Sequence, residues 1–386
     1  MKIALSVPGK FHTFDLAREL HARGLLTKIF TGYPRFKLRN ENLPKELIQT
    51  FPWFHTPYMG LLSINLLPEG PRKEWENLLS VSFSDFVARN LPDCDLYVGL
   101  SGSALSAGQK AHLRGIKFIC DRGASHIRAQ DQLLREEHAL WGVPFSGIDQ
   151  RTIVRDESEY AEADCITVPS TFVYRSFIEQ GIPADRLKIL PYGVNLRHFY
   201  PVDKPDDERF DILFVGAMTL QKGVQYIVQA FNKINHPNKT LTFVGASNPT
   251  LIKKLKSFGI WPDSARLVGH MPQSDLKTIM SRSHVLVLPS IQDGFGMVMA
   301  QAMACGCPVI ASRHTGGEDL FTDGVEGFIV PIRDVLALTE RLQQMADQTT
   351  LRAEMGVKAL EKVQLIGGWH DYGNKAMEIY REVKSA

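Results

Sequence analysis

The chain has 386 residues, which is more than one hydrophobic core usually supports, so we expect two domains of ordinary size. Hydrophobic residues make up 44% and charged residues 22%, a mixture typical of a soluble globular protein. The formal net charge of +2 argues against a nucleic-acid partner, because nucleic-acid binding requires a strong basic excess or a basic stripe.

The cysteines are odd in number and scattered: Cys94, Cys120, Cys165, Cys305 and Cys307. Only the last two are close together, and a CGC lacks zinc-ligand spacing, so we expect buried thiols in a reducing compartment. The first apolar run is too short for a signal peptide, and no run in the sequence approaches the ~18 apolar residues of a membrane span. These features predict a cytoplasmic protein, or one on the inner face of a membrane.

In the first half of the chain, short apolar runs alternate with helical patterns. Residues 2–7 (KIALSV) predict a strand, and the apolar spacing of TFDLARELHARG predicts a helix that ends at Gly24. Further strands are predicted at residues 95–100, 116–120 and 165–169. A β, α, β order favours a parallel sheet covered on both faces.

A proline-containing, charged stretch around residues 201–209 has the composition of a linker. After it a second strand series begins, with strands predicted at 211–216, 241–245, 265–270, 284–289, 308–312 and 327–331. We therefore predict two doubly wound, Rossmann-like α/β domains, residues 1–204 and 205–366. We expect residues 367–386 to form a C-terminal helix that returns to the first domain. In such sheets ligands bind beyond the carboxyl ends of the strands, so the cleft between the domains is the expected site.

The stretch FVGAMTLQKG places Gly216 at a strand end and Lys222 at the start of a helix. A glycine turn before a helix N-terminus offers free backbone N–H groups and a positive dipole end to a phosphate, and Lys222 adds a charge. An ordinary strand-to-helix turn with a solvated lysine explains these residues equally well.

The stretch SIQDGFGMVMAQAMACGC carries Asp293, Gly294, Phe295 and Gly296 ahead of an apolar helix that contains Gln301. Two glycines let the backbone turn sharply and approach a ligand closely. A carboxylate in the loop and an amide in the first turns of the helix can together bind the hydroxyls of a sugar or ribose. The alternative is a buried helix with one satisfied Gln.

Other polar residues also follow predicted strands. His270 ends one strand of the second half, and Gly316 and Glu318 begin a short helix whose N–H groups can meet a phosphate, although Glu318 also suits a first-turn acid. In the first half, Gly9, Lys10 and His12 follow the first strand, and Asp121, Arg122, Gly123 and His126 follow a later one. A lone His is more often structural or solvated than functional.

Taken in order, several stretches resemble the bacterial glycosyltransferases of family four, which have the two-domain GT-B fold. These stretches are VPSTFVYRSFIEQGIPADRLKILPYGVNLRHFYP, FVGAMTLQKG, VGHMPQSDL and LPSIQDGFGMVMAQAMACGCPVIAS. The resemblance runs from about Asp164 to Tyr380, whereas the N-terminal half matches mainly in its strand-one loop. It is specific for fold and class and uninformative about the sugar.

The resemblance implies a nucleotide diphosphate sugar held mainly by the second domain, a glycan or lipid-linked acceptor on the first, and transfer with retention that needs no metal or other cofactor. It makes Lys222 the ligand of the donor diphosphate. It places Asp293 and Gln301 on the two glutamates of the E-x7-E motif, the first at the donor sugar and the second at the ribose.

On this basis we expect Asp293, Lys222 and His126 to be catalytic. The expected donor-binding residues are Gly216, Lys222, His270, Asp293, Gly294, Phe295, Gly296, Gln301, Gly316 and Glu318. Gly9, Lys10, His12 and Arg122 are expected on the acceptor or phosphate side. The resulting prediction is a hexosyltransferase-type enzyme in the synthesis of a surface polysaccharide or lipopolysaccharide.

Three positions depart from the family pattern. Asp293 is shorter than Glu, Gln301 is uncharged although it can donate and accept hydrogen bonds, and Ala217 stands where many members carry a phosphate-binding arginine. Candidates for the missing cation are Arg122, Arg313 and Lys10. The departures leave room for a non-catalytic sugar-nucleotide-binding subunit. A sugar-nucleotide epimerase or a phosphorylase on the same fold is a further alternative, and a phosphorylase requires a pyridoxal-phosphate lysine.

Residues 30–65 combine basic side chains with Trp and other aromatic residues. This composition suits an anionic bilayer surface, and it predicts peripheral membrane contact. A long loop that covers the first sheet with its aromatic side chains packed inward is the alternative.

Overall fold

The computed structural model describes residues 1–63 and 69–386 and contains two sheets. The strands of the first sheet are β1 (Ile3–Val7), β2 (Leu26–Thr31), β3 (Ile48–Thr50), β4 (Leu96–Leu100), β5 (Lys117–Asp121), β6 (Cys165–Val168) and β7 (Leu187–Ile189). Those of the second are β8 (Phe210–Val215), β9 (Lys239–Val244), β10 (Arg266–Gly269), β11 (Val285–Leu288), β12 (Val309–Ser312) and β13 (Gly327–Val330).

Fifteen α-helices connect these strands within the described residues. In the first half they are α1 (Thr13–Ala22), α2 (Pro52–Ser63), α3 (Glu69–Asn90), α4 (Leu105–His112), α5 (Ile127–Leu140), α6 (Gln150–Glu162) and α7 (Thr171–Glu179). In the second half they are α8 (Val224–Lys233), α9 (Pro249–Ser257), α10 (Gln273–Arg282), α11 (Met297–Ala304), α12 (Gly317–Leu320), α13 (Val335–Asp347), α14 (Thr349–Ile366) and α15 (Trp369–Ser385). Across the described ranges, no helix is both long and apolar enough to cross a bilayer.

Both sheets are parallel and doubly wound. The first has the order β3-β2-β1-β4-β5-β6-β7 and the second the order β10-β9-β8-β11-β12-β13. In each sheet the order reverses beside the first strand of the domain, between β1 and β4 and between β8 and β11. Helices cover both faces, which explains why strands such as β1 and β11 are buried along their whole length. The predicted α/β fold class, with two Rossmann-like domains, is therefore confirmed.

The chain crosses between the domains at two places. It leaves the first sheet at Ile189 and enters the second at Phe210, and it returns through α14 and α15. Helix α15 packs on α1 of the first domain and buries Tyr372, Met377 and Tyr380. The exact boundaries at residues 204 and 366 stay a prediction.

The carboxyl ends of the two sheets face each other. Gly294 follows β11, and its backbone lies so close to that of Gly123, which follows β5, that a Cβ on Gly294 would come within 1.8 Å of the Gly123 carbonyl oxygen. Ser170, which follows β6, donates a hydrogen bond from its hydroxyl to the Gly294 carbonyl at 2.6 Å. Strand-end residues of both domains therefore share one cleft.

Candidate functional site

Lys222 and Asp293 form the charged centre of the cleft on the side of the second domain. Lys222 stands just before α8 and Asp293 just after β11, and the Lys222 Nζ donates to Asp293 Oδ2 at 2.5 Å. Their side chains are 27% and 15% exposed, so both are open to the cleft. Two residues that the sequence predicts as separate contacts are thus direct partners, and a bound anion would compete with Asp293 for the ammonium group.

The loop that carries Asp293 is held by hydrogen bonds from both neighbouring loops. Ile291 donates its backbone N–H to the Gln221 carbonyl at 2.8 Å, and Asp293 donates its own to the His314 carbonyl at 2.9 Å. The Gln221 amide also donates to the side-chain oxygen of Gln292 at 2.7 Å. Because these bonds fix the backbone on both sides of Asp293, its carboxylate is pre-positioned rather than free to move with a loose loop.

Two glycines with positive φ place helix N-termini beside this pair. Gly223 precedes α8 with φ 74°, and a Cβ there would approach the Pro289 carbonyl oxygen to 2.1 Å. Gly296 precedes α11 with φ 73°. Only glycine adopts such geometry without strain, and it lets both helices begin at the cleft, where their first N–H groups suit an anion.

Gln301 lies one turn into α11 and is partly exposed. Among the residues that the structure describes, none accepts a hydrogen bond from its side-chain amide. A half-buried amide without a protein partner is free to bind hydroxyl groups, which agrees with the prediction of a polyol contact and does not test it.

Gly216 and His270 lie at the same edge, at the ends of β8 and β10. Gly216 has φ 152° and donates its N–H to the Val244 carbonyl at 2.8 Å, and His270 is exposed. Arg313, which follows β12, is also exposed at this edge. It therefore remains the candidate for the cation that Ala217 does not provide.

The glycine loop after β12 joins the two domains. Gly316 packs on Phe295, with its N–H donated to the Phe295 carbonyl at 3.0 Å. Glu318 pairs with Arg175 on α7, and Asp319 accepts hydrogen bonds from the Thr171 N–H at 2.9 Å and the Thr171 hydroxyl at 2.6 Å. The carboxylate of Glu318 is thus engaged by the first domain, which does not favour its predicted role in donor binding.

On the first domain, His12 faces the cleft in a fixed orientation. Its Nε2 and Asp121 Oδ2 are 2.6 Å apart, and Thr167 donates its hydroxyl to the other oxygen of Asp121 at 2.9 Å. Since a carboxylate can only accept, the His12 Nε2 is the donor. The His12 ring stacks on Tyr192 at 4.1 Å between centroids, and Tyr192 contacts Phe295 of the second domain.

Asp121 and Tyr192 are cleft residues to which the sequence prediction assigned no role. Asp121 was noted only as a residue that follows a strand. Tyr192 lies in the stretch PYGVN, whose residue types carry no signal that points to a site.

Three residues predicted on the acceptor or phosphate side have partners within the first domain. The Arg122 guanidinium is buried and donates to Asp156 Oδ2 at 2.8 Å, so it is an internal ion pair and not a free cation. Lys10 pairs with Glu41, which Arg18 also binds. The nearby Gly9 is buried, with its carbonyl accepting from the Thr31 hydroxyl at 2.9 Å.

His126 is a structural residue in this arrangement. It is the N-cap of α5, where its Nδ1 accepts the Arg128 N–H at 3.3 Å. Its ring is buried against Tyr160 and Phe177. Burial is the main cause, and the nearby Arg122 charge the second, of a pKa of His126 that is lowered to about 4. The His126 ring is therefore neutral at neutral pH. The predicted catalytic role does not agree with this position.

The second half of the chain matches a known protein family. Residues 200–362 match the family of glycosyl transferases group 1. A D-inositol 3-phosphate glycosyltransferase of Paenarthrobacter aurescens is 29% identical over 222 residues, 53% of this chain and 54% of that protein. An alpha-maltose-1-phosphate synthase of Mycolicibacterium smegmatis is 27% identical over 321 residues, 75% and 78% of the two chains. The chain spans about half the length of most of the curated relatives it matches.

Solved structures match over the whole chain. The Anabaena protein HepE, solved with UDP and glucose, superposes with a TM-score of 0.73 at 16% identity and covers 99% of this chain and 100% of its own. A sucrose-phosphate synthase from Thermosynechococcus elongatus gives 0.72 at 21% identity, with 100% and 99% covered. The fold is GT-B. In GT-B terms the first sheet is the N-terminal domain, the second is the C-terminal domain, and the Lys222–Asp293 pair belongs to the C-terminal domain.

Proposed function

We propose that this protein is a glycosyltransferase that moves a hexose-type sugar from a nucleotide diphosphate sugar to a hydroxyl group. The observation that carries the proposal is the Lys222–Asp293 pair, pre-positioned between two helix N-termini at the cleft of a GT-B fold. The match of residues 200–362 to the glycosyl transferases group 1 and the UDP bound by HepE support it.

On the donor side, the diphosphate would bind the Lys222 ammonium and the N–H groups that begin α8. As the sugar leaves, negative charge develops on the diphosphate, and these donors stabilise it because they are already oriented. Asp293, released from Lys222, would accept hydrogen bonds from the donor sugar, and Gln301 would bind the ribose. Transfer proceeds with retention and without a metal or other cofactor in this proposal.

On the acceptor side, His12 would position the reacting hydroxyl. Its Nε2 donates to Asp121, so in the neutral ring its Nδ1 is left as a hydrogen-bond acceptor. Contact of His12 with Tyr192, and of Tyr192 with Phe295, couples this residue to the loop that holds Asp293. Closure of the cleft brings the acceptor hydroxyl and the donor sugar into one orientation.

We further propose a glycan or lipid-linked acceptor in surface polysaccharide or lipopolysaccharide synthesis, at the cytoplasmic face of a membrane. The exposed side chains of Phe36, Trp53 and Met59 support this part of the proposal, and residues 64 and 65 of the predicted membrane segment lie outside the described residues.

A thermal-shift panel of nucleoside diphosphates and their sugars tests the donor proposal, because a ligand present at 100 times its Kd stabilises the protein by about 2.7 kcal/mol. Donor turnover with a lipid-linked acceptor tests catalysis. The second candidate, a non-catalytic sugar-nucleotide-binding subunit, is favoured by Ala217 and Gln301. It predicts a shift with the nucleotide but no turnover. A protein that none of these compounds stabilises would contradict both candidates.

A further inference from the structure

A separate cavity lies at the carboxyl edge of the first sheet, beyond β1, β2 and β3. It has a volume of about 170 Å³ and opens beside Pro8, Gly32 and Phe51, the residues that directly follow these three strands. Helices α2 and α3 close its other sides. The loop that begins at Pro8 continues to His12, so the cavity adjoins the acceptor side of the cleft.

The walls of this cavity are mainly apolar and aromatic. Phe51, Leu79 and Phe83 line it, and Phe51 is held by a stacked ring contact with Phe86 at 4.6 Å. An engineered apolar cavity of about 150 Å³ stays dry and binds benzene, so a space of this size and lining accommodates one ring or a short run of methylene groups. The cavity therefore suits an apolar ligand group rather than a sugar.

The charged group in the wall is the Glu76 carboxylate, which lies 3.6 Å from the Arg72 guanidinium. The Tyr58 hydroxyl donates to Glu76 Oε1 at 2.5 Å. Burial, and next the Lys37 charge, lowers the pKa of His55, so its ring is neutral at neutral pH. A wall whose carboxylate is already paired and whose histidine is neutral offers little to an anion and does not repel a hydrocarbon.

The surface around the cavity has the composition of a bilayer contact. Helix α2, which contributes His55 and Tyr58 to the wall, also exposes Trp53, which is 75% exposed, and Met59. Phe11, in the loop after Pro8, is exposed as well. The exposed Lys37 is also close, since its charge acts on His55 in the wall. Exposed apolar side chains beside a lysine are complementary to a lipid with an anionic head group.

We propose that this cavity is an acceptor subsite that takes the first carbons of an alkyl or isoprenoid chain, those next to the head group of a lipid acceptor. The proposal rests on the proposed glycosyl transfer, and it adds the substrate class. With the chain in the cavity, the head-group hydroxyl lies on the side of Pro8 that leads to His12. The cavity would thus select lipid acceptors over free sugars of the same head group.

The test compares octyl glucoside, below its critical micelle concentration, with methyl glucoside by saturation-transfer NMR. Ser80 lines the cavity, and Ser82 lies on the same helix outside it, with its hydroxyl bound to the Leu78 carbonyl. We expect the natural protein and the Ser82→Phe variant to transfer saturation to the octyl chain. The saturation-transfer signal of the octyl chain should be at least five-fold weaker with Ser80→Phe. Ser80→Leu, which fills less of the space, replaces Ser80→Phe if that variant does not fold.

Equal saturation of the octyl chain in the Ser80 variant, or no saturation in any of the proteins, would overturn the subsite. UDP is titrated into the same samples. Failure of UDP to bind contradicts the proposed transfer but leaves the octyl signal unchanged, so the two failures are distinguishable.

Discussion

Glu137 on α5 and Arg333 in the second domain form an ion pair across the domain boundary, with Arg333 Nε 2.8 Å from Glu137 Oε2. The Glu137 side chain is fully buried, and its other oxygen accepts from the Tyr226 hydroxyl at 2.6 Å and the Gln225 amide at 2.7 Å. All three donors come from the second domain. One carboxylate of the first domain thus binds three groups of the second domain.

We predict that Arg333→Met destabilises the docking of the domains. The substitution leaves the buried Glu137 carboxylate without its cation, which should lower the free energy of unfolding by roughly 3 kcal/mol. This value is at the low end of the range for buried pairs because Arg333 is partly exposed. Differential scanning calorimetry should show an earlier first transition, and X-ray scattering a larger radius of gyration. Arg282→Met breaks an exposed pair with Asp203 and serves as the control, with an expected change of about 0–1 kcal/mol.

A double variant sharpens this test. Glu137→Gln combined with Arg333→Met removes the buried charge together with its partner and keeps an amide oxygen that can accept from Tyr226 and Gln225. It should therefore be more stable than Arg333→Met alone. If the single and double variants unfold alike, the ion pair does not control the docking of the domains.

Lys222→Ala should weaken donor binding. The loss of a charge-assisted contact to the diphosphate is worth roughly 1.5–3 kcal/mol, or about 10-fold to 150-fold in Kd. Calorimetric titration of the nucleoside diphosphate measures this directly. Lys233→Ala, at the exposed end of the same helix α8, is the matched control and should bind as the natural protein does. Unchanged affinity in Lys222→Ala would remove this lysine from the site.

Gln301→Leu and Asp293→Asn should have different effects. The first removes a hydrogen-bonding amide near the ribose, so we expect weaker nucleotide binding. The second keeps the shape and removes the charge beside the donor sugar, so we expect slower turnover with the nucleotide still bound. Steady-state kinetics and nucleotide titration separate these effects. Small and equal effects from both, with the fold intact, would indicate that this loop and helix are only core.

Acid should destabilise the protein through buried histidines. Burial lowers the pKa of both His126 and His284 to about 4 from 6.5, so the folded state binds fewer protons than the unfolded state between these values. The free energy of unfolding therefore has its full value above about pH 6.5. It decreases as the pH falls towards 4, by roughly 3 kcal/mol for each histidine. Urea unfolding at several pH values measures the slope.

His126→Asn should reduce this slope, because Asn keeps an N-cap acceptor for α5 without titrating. A His126→Asn protein with the full acid sensitivity would assign the effect to other groups.

Binding to anionic vesicles should depend on Trp53. We expect the fraction of protein that co-sediments to increase with the anionic lipid content and to decrease with salt. Trp53→Ser should co-sediment clearly less, because it lacks the ring that is buried in the membrane interface. Val357→Ser, an exposed apolar residue on α14, is the control. A protein that stays in the supernatant with anionic vesicles at low salt would contradict the membrane contact.

Much of the fold could be predicted from the sequence because the central strands are continuous apolar runs. Residues 2–7 and 165–169 differ by a residue from β1 (Ile3–Val7) and β6 (Cys165–Val168). The strands that were not predicted, β2, β3 and β7, are partly exposed, and β3 and β7 have only three residues. Their formation depends on pairing with β1, β2 and β6, which a local pattern does not show.

The site was predictable in its positions and not in its pairings. The glycines and strand ends placed Lys222 and Asp293 at one edge, but only the fold shows that they bind each other across 71 residues. Arg122 illustrates the opposite outcome. Arg122 also follows a strand, but it forms an ion pair with Asp156 on the buried face of α6. The local sequence around either residue does not predict that contact.

The return of α15 to the first domain has a consequence for the order of events during synthesis. Buried Tyr372, Met377 and Tyr380 pack against a domain whose own strands are complete nearly two hundred residues earlier. A ribosome therefore releases the first sheet long before it releases the helix that covers one of its flanks. Until then α1 presents an apolar face to the cellular environment, and chains that stall after residue 366 should be the ones that chaperones and proteases retain.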